Sequence, residues 1–122
     1  VGVFSNVHQG PHGISRLNTV PLNPGMILSV EPGVYLEGKL GIRLENLVYV
    51  KKKSGGSRQK KEFLEFETLT LVPFEKKLIE KNLLSRDELY WLNSYHYNVY
   101  NKLSPFLDVS EKTWLRDACR IL

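Results

Sequence analysis

The placement of proline and glycine constrains this chain more than any other feature. Four of its six prolines fall within the first 32 residues, in the contexts Gly10-Pro11, Pro21-x-x-Pro24-Gly25 and Pro32-Gly33. Proline lacks the amide hydrogen that a helix interior needs, and glycine relaxes into tight turns, so no long helix fits there. What fits between the breaks are short runs rich in β-branched and aromatic residues. Met26 to Val30, Val34 to Leu36 and Ile42 to Val50 read as strands, with Glu37-Gly38 at the tip of a tight reversal. Phe63 to Val72 alternates in part and stops at Pro73, which predicts a return strand and a hairpin over residues 42–72.

Beyond residue 73 the period changes. Ser85-x-x-Glu88 forms a capping box just ahead of Leu89, Leu92, Val99 and Leu103, predicting a helix over 86–103 that Ser104-Pro105 ends. Ser110 is the expected cap of a last helix in which Trp114, Leu115, Ala118 and Leu122 fall at helical spacing. His96, between two tyrosines, is expected to be packed and hydrogen-bonded. Trp91 and Trp114 read as core or interface residues, and Cys119 as a packing residue. The fold class is therefore α+β, with a β-rich half over 1–73 and a helical tail over 74–122.

Composition excludes several classes. The single cysteine, Cys119, rules out an intrachain disulfide framework and a structural zinc site of the four-cysteine type. No stretch approaches the ~18 apolar residues of a membrane-spanning helix, so no membrane partner is expected. The net charge of +4 is local, because residues 51–61 carry six positive and no negative charges around Ser-Gly-Gly-Ser. That tract reads as a solvated hairpin tip. A noncatalytic interaction or nucleic-acid-binding module using this loop is the alternative function, disfavoured because no aromatic residue lies among the charges to stack bases.

Two glutamates stand out by position. Glu31 ends an apolar run before Pro32-Gly33, and Glu45 sits within Gly41 to Val50. A carboxylate on a mostly apolar strand needs a charge partner, hydrogen bonds or a metal. The plain reading of Glu45 is a surface pair with Arg43 on the same strand face. His8, in a segment entering the Gly10-Pro11 turn, adds a residue type common in metal hydrolase sites, and carboxylates with histidine suit harder ions such as manganese.

Together, Asn6-Val7-His8-Gln9-Gly10-Pro11-His12-Gly13-Ile14-Ser15, Pro24-Gly25-Met26 through Glu31-Pro32-Gly33-Val34-Tyr35, and Gly41-Ile42-Arg43-Leu44-Glu45-Asn46 resemble the C-terminal catalytic half of the Xaa-Pro aminopeptidases (aminopeptidase P). The order fits, with 23 positions from His8 to Glu31 and 14 from Glu31 to Glu45. Phe66 to Pro73 and Trp91 to His96 are similar to the tail of the longer, cytosolic-type members, so the resemblance covers nearly the whole chain.

The resemblance implies a pita-bread metallopeptidase domain of the M24 type, an antiparallel curved sheet followed by helices. It implies a dinuclear centre, usually two Mn2+ ions, held by two aspartates, a histidine and two glutamates. Glu31 and Glu45 match the glutamate ligands, the second bridging both ions. His8 matches the histidine that contacts substrate, and Arg43 the arginine that supports the site. The implied substrates are peptides with proline at position 2, and the implied setting is cytoplasmic. The other three ligands would precede Val1, so the chain reads as the C-terminal portion of a longer catalytic domain. Alone it is expected to be inactive, to hold metal weakly, and to self-associate as a homo-oligomer or by strand exchange through exposed apolar surface and open strand edges.

Overall fold

The computed structural model describes residues 1–4, 6–54 and 62–122, so most of the basic tract expected at a hairpin tip, residues 55–61, lies outside the described residues. The chain folds as two compact units, Val1–Thr70 and Leu71–Leu122.

In the first unit, β1 (Ile27–Val30), β4 (Asn46–Lys52) and β5 (Leu64–Thr68) form an antiparallel sheet in the order β1-β4-β5. A second, two-stranded antiparallel sheet joins β2 (Gly33–Leu36) to β3 (Leu40–Arg43). The expected strand over Ile42 to Val50 is thus divided into β3 and β4 at Leu44 and Glu45. The cause lies on the facing strand, where Pro32 has no N–H to give and one rung is lost. Its carbonyl still accepts from Leu44 N–H at 3.0 Å, and the register runs through the break, with Val30 opposite Asn46 and Gly33 opposite Arg43.

Alternation along β4 buries Asn46, Val48 and Val50 and leaves Leu47, Tyr49 and Lys51 half-buried on the other face. Leu28, Val48 and Val50 form the small core, supported by Leu22 and Met26. On the opposite face Tyr49 and Lys51 both donate to Glu67 of β5, at 2.9 and 2.7 Å. The expected return strand to Val72 ends early, because Leu47 N–H turns to the hydroxyl of Thr70 at 2.8 Å and the ladder stops at Thr68. The predicted reversal is present, since Gly38 has φ +67° and Lys39 N–H donates to Leu36 O at 3.0 Å. Every residue of β2 and β3 is exposed, including Val34, Tyr35, Leu36, Leu40 and Ile42.

The second unit contains α1 (Arg86–Leu103) and α2 (Val109–Ala118), with short 3₁₀ turns at Lys76–Leu78, Lys81–Leu83 and Ser104–Phe106. The capping box of α1 forms as predicted, with Ser85 and Glu88 exchanging hydrogen bonds. The cap of α2 is Asp108 instead of Ser110. Its carboxylate accepts from Glu111 N–H at 2.9 Å while Glu111 accepts from Asp108 N–H at 2.9 Å, so the acid two residues earlier builds a complete box that Ser110 cannot. Tyr95, Val99, Leu115 and Cys119 form the core, with Leu71, Phe74, Tyr100, Leu103 and Leu107 packed around them. Neither tryptophan belongs to it. Trp91 stacks on Tyr95 with centroids 5.5 Å apart but is half exposed, and Trp114 is exposed one position away from the buried Leu115.

His96 is fully buried, and its Nε2 accepts from Phe74 N–H at 3.1 Å, so the expected packing role holds. The other ring nitrogen, Nδ1, has no partner among the described residues. Burial, with a smaller contribution from the Lys76 charge, lowers its pKa below the ordinary 6.5. The unfolded chain therefore takes up the proton first on acidification, and folding stability is present above pH ~6.5 and lost as the pH falls below it. Thermal unfolding of the chain, read by the fluorescence of Trp91 and Trp114, should show a falling midpoint from pH 7 to pH 5. His96→Gln, which keeps an acceptor and cannot titrate, should flatten that dependence.

Candidate functional site

The continuous register brings the two singled-out glutamates together. With Val30 opposite Asn46 and Pro32 opposite Leu44, Glu31 stands directly opposite Glu45. Pro32 and Leu44 form the hydrogen-bonded type of pair, so Glu31 and Glu45 form the closer, non-hydrogen-bonded type. Both lie on the strand face that alternation turns away from Leu28, Val48 and Val50. Like charges directly opposite each other are destabilising in a sheet unless a cation lies between them.

Glu31 is the better enclosed of the two. Its Oε1 accepts from His8 Nε2 at 2.5 Å and from Ser29 Oγ at 2.8 Å, and its Oε2 accepts from Arg43 Nη1 at 2.5 Å. The carboxylate only accepts, so the His8 proton resides on Nε2. The hydrogen bond from His8, then that from Ser29, with the charges of His8 and Arg43 adding to them, hold the Glu31 carboxyl below the ordinary carboxylate range. Glu45 is exposed and accepts no hydrogen bond among the described residues. The anticipated Arg43–Glu45 surface pair does not form. Arg43 reaches across the strands to Glu31 because Gly33, its register partner, presents no side chain in between.

Tyr35 completes the arrangement, and sequence reasoning gave it no role. Arg43 Nε donates to its hydroxyl at 2.7 Å, and this hydrogen bond is the main cause that raises the Arg43 pKa. A Cβ at Gly33 or at Gly41 would come within 2.8 Å of the Tyr35 ring, so the two glycines form the floor on which the ring lies. The available signal was parity: Tyr35 is four residues after Glu31, on the same strand face, and opposite Gly41.

A cavity of about 670 Å³ opens beside Glu31, lined among others by His8, His12, Gly10, Pro11 and Ser29. The chemistry of the donors suits a hard divalent ion, since two facing carboxylates, one free of hydrogen bonds, present oxygen ligands on one face. Among the described residues no third Asp, Glu, His or Cys joins them to complete a metal cluster. No helix is long and apolar enough to cross a membrane.

Comparison with known proteins agrees with this site. Residues 62–122 match the C-terminal region of peptidase M24, and residues 1–52 match metallopeptidase family M24. The chain is 44% identical over 125 residues to the probable Xaa-Pro aminopeptidase P of Laccaria bicolor, with 98% of this chain and 20% of that protein covered. It is 43% identical to aminopeptidase P1 of Lotus japonicus, covering 97% and 18% respectively. Among solved structures, the X-prolyl aminopeptidase of Caenorhabditis elegans, described as a cytosolic enzyme with a di-nuclear active site, superposes with a TM-score of 0.81 at 36% identity over 96% of this chain and 20% of its own. The chain thus spans about a fifth of the length of the relatives it matches.

Proposed function

Because the chain belongs to the M24 family of metallopeptidases and has its pita-bread fold, we propose that it supplies part of the active site of an enzyme that hydrolyses the N-terminal Xaa-Pro bond of peptides in the cytoplasm. The observation that carries this reading is the facing pair Glu31 and Glu45, with His8 and Arg43 hydrogen-bonded to the first. The two carboxylates would hold divalent ions, Mn2+ being the ion expected. Such ions supply an activated water and polarise the scissile carbonyl.

The residues of the chain have separable tasks. Arg43, anchored by Tyr35, fixes the rotamer of Glu31 and offsets its charge while the site is empty. His8, whose Nε2 carries a proton and whose side chain is largely exposed beside the cavity, is placed to donate to an oxygen that gains negative charge. Ser29 holds the other side of Glu31 Oε1. The two glutamates are two of five ligands in the proposed centre, so these 122 residues alone should bind Mn2+ weakly and leave a Xaa-Pro peptide uncleaved. Turnover by the purified chain with Mn2+ would contradict that assignment.

The decisive experiment exchanges the matching fifth of the Caenorhabditis elegans enzyme for this chain. The chimera should cleave a Xaa-Pro peptide in a metal-dependent manner. A chimera that folds and binds two ions without hydrolysing the peptide sinks the proposal. In the same background Tyr35→Phe, which removes only the hydroxyl that orients Arg43, should lower activity about 10- to 100-fold, the usual cost of losing a group that holds a metal ligand in place.

A further inference from the structure

β1 lies at the edge of its sheet, and the hydrogen bonds fix which of its backbone groups face β4. Val50 N–H donates to Met26 O at 2.9 Å and Leu44 N–H donates to Pro32 O at 3.0 Å, so the even-numbered residues from 26 to 32 turn inward. Leu47, which pairs with Ser29, confirms the alternation. Its N–H goes to Thr70 Oγ1 and its carbonyl accepts from Leu69, both at 2.8 Å and both on the β5 side. The odd-numbered residues of β1 therefore direct N–H and C=O outward. Ile27 O, on that edge, accepts from His12 Nε2 at 3.2 Å and from the Val1 ammonium at 3.0 Å. The outward N–H and C=O of Ser29 have no partner among the described residues.

The segment from His8 to His12 passes along this edge without pairing to it. Two histidine rungs hold it away from the strand, His8 on Glu31 and His12 on Ile27 O, each four residues from the other on both sides. Among the described residues these are the only hydrogen bonds between that segment and β1. The side chains act as spacers, and the gap they leave is the cavity lined by Gln9, Gly10, Pro11, Leu28, Ser29 and Val30. Half-buried backbone groups without partners are costly, and an added strand is the ligand that satisfies an N–H and a C=O on the same residue.

We propose that the outward edge of β1 at Ser29 is a backbone-reading site, at which an extended peptide adds as a short strand by accepting from Ser29 N–H and donating to Ser29 O. The rungs at Ile27 and Glu31 close both ends of the open run, so a short peptide fits and the long strand of a second copy does not. The class of ligand rests on the peptidase reading; the edge and its vacant partners do not.

The test is an amide nitrogen–proton correlation spectrum of the 15N-labelled chain, titrated with Ala-Pro-Ala and with Ala-Ala-Ala. Saturable shifts should appear at the outward amides of Ser29 and Glu31 and be much smaller at Leu28 and Val30. No saturable shift at Ser29, or shifts that follow protein concentration without peptide and so reveal a second copy on the edge, overturn the proposal. Ser29→Ala and Ser29→Pro then separate backbone from side chain. Both lose the hydroxyl, but only proline loses the outward N–H, which no ladder bond uses. Ser29→Pro should bind about 3- to 10-fold more weakly than Ser29→Ala, the worth of one hydrogen bond, and equal affinities refute the site. Peptide shifts at Ser29 alongside an inactive chimera would uphold the edge and remove the peptidase reading. Cleavage by the chimera with no Ser29 response would do the reverse.

Discussion

Glu45→Gln, made in the chimeric enzyme, is expected to lower Xaa-Pro hydrolysis by about 10³-fold or more, the scale of charge stabilisation that a bound divalent ion supplies. Thermal stability should stay the same or rise. The two readouts separate because of what Glu45 does in the fold: it is exposed, accepts no hydrogen bond among the described residues, and faces another carboxylate across a closely spaced pair. Removing its charge relieves a repulsion and breaks no contact. A carboxylate kept for stability would show the opposite pattern, with activity retained and the melting point lowered. Glu31→Gln should lose activity as strongly, but with some loss of order around His8 and Arg43, which both bind its carboxylate. Metal titration of both variants provides the check, since each should bind fewer ions than the parent chimera.

Leu115→Ala carries the largest expected effect on folding. Leu115 is 2% exposed, at the centre of the core that Tyr95, Val99 and Cys119 complete. Truncating it removes three carbons and leaves a cavity that helix packing closes only in part, at a cost of about 2–5 kcal/mol. A unit of 52 residues, Leu71–Leu122, has little stability in reserve, so the tryptophan-monitored midpoint should fall by ~10 °C or more. Trp114→Ala, one position away but exposed, should move it little. A larger effect at Trp114 than at Leu115 would mean that the helix faces are assigned wrongly.

The contrast between Leu115 and Trp114 also marks where sequence reading stopped. Helical spacing placed both on one stripe, because a stripe about 100° wide includes neighbours that a two-helix unit is too small to cover. The cap of α2 was misplaced for a similar reason, since Asp108 and Ser110 are both good cap residues and only the reciprocal bond with Glu111 decides between them. The strand division at Leu44 and Glu45 arises from a proline on the facing strand, which only the pairing reveals. By contrast α1 begins and ends where its capping box and Ser104-Pro105 place it, because those signals act within a few residues of the positions they govern.

For the site, residue identities and order were legible and partnership was not. The motifs around His8, Glu31, Arg43 and Glu45 named the carboxylates, the histidine and the arginine from chemistry and resemblance. The sequence by itself determined the element types, the turn at Gly38, the helix α1 and the candidate ligands, because these depend on propensity, capping and spacing along the chain. Tertiary structure alone decided that Glu31 faces Glu45, that Arg43 serves Glu31 instead of Glu45, that Tyr35 lies on two glycines to hold it, and that the Ser29 edge stays open. The physical reason is register: cross-strand neighbours are set by how separate strands pair, and a shift of one residue would turn every one of these side chains to the other face.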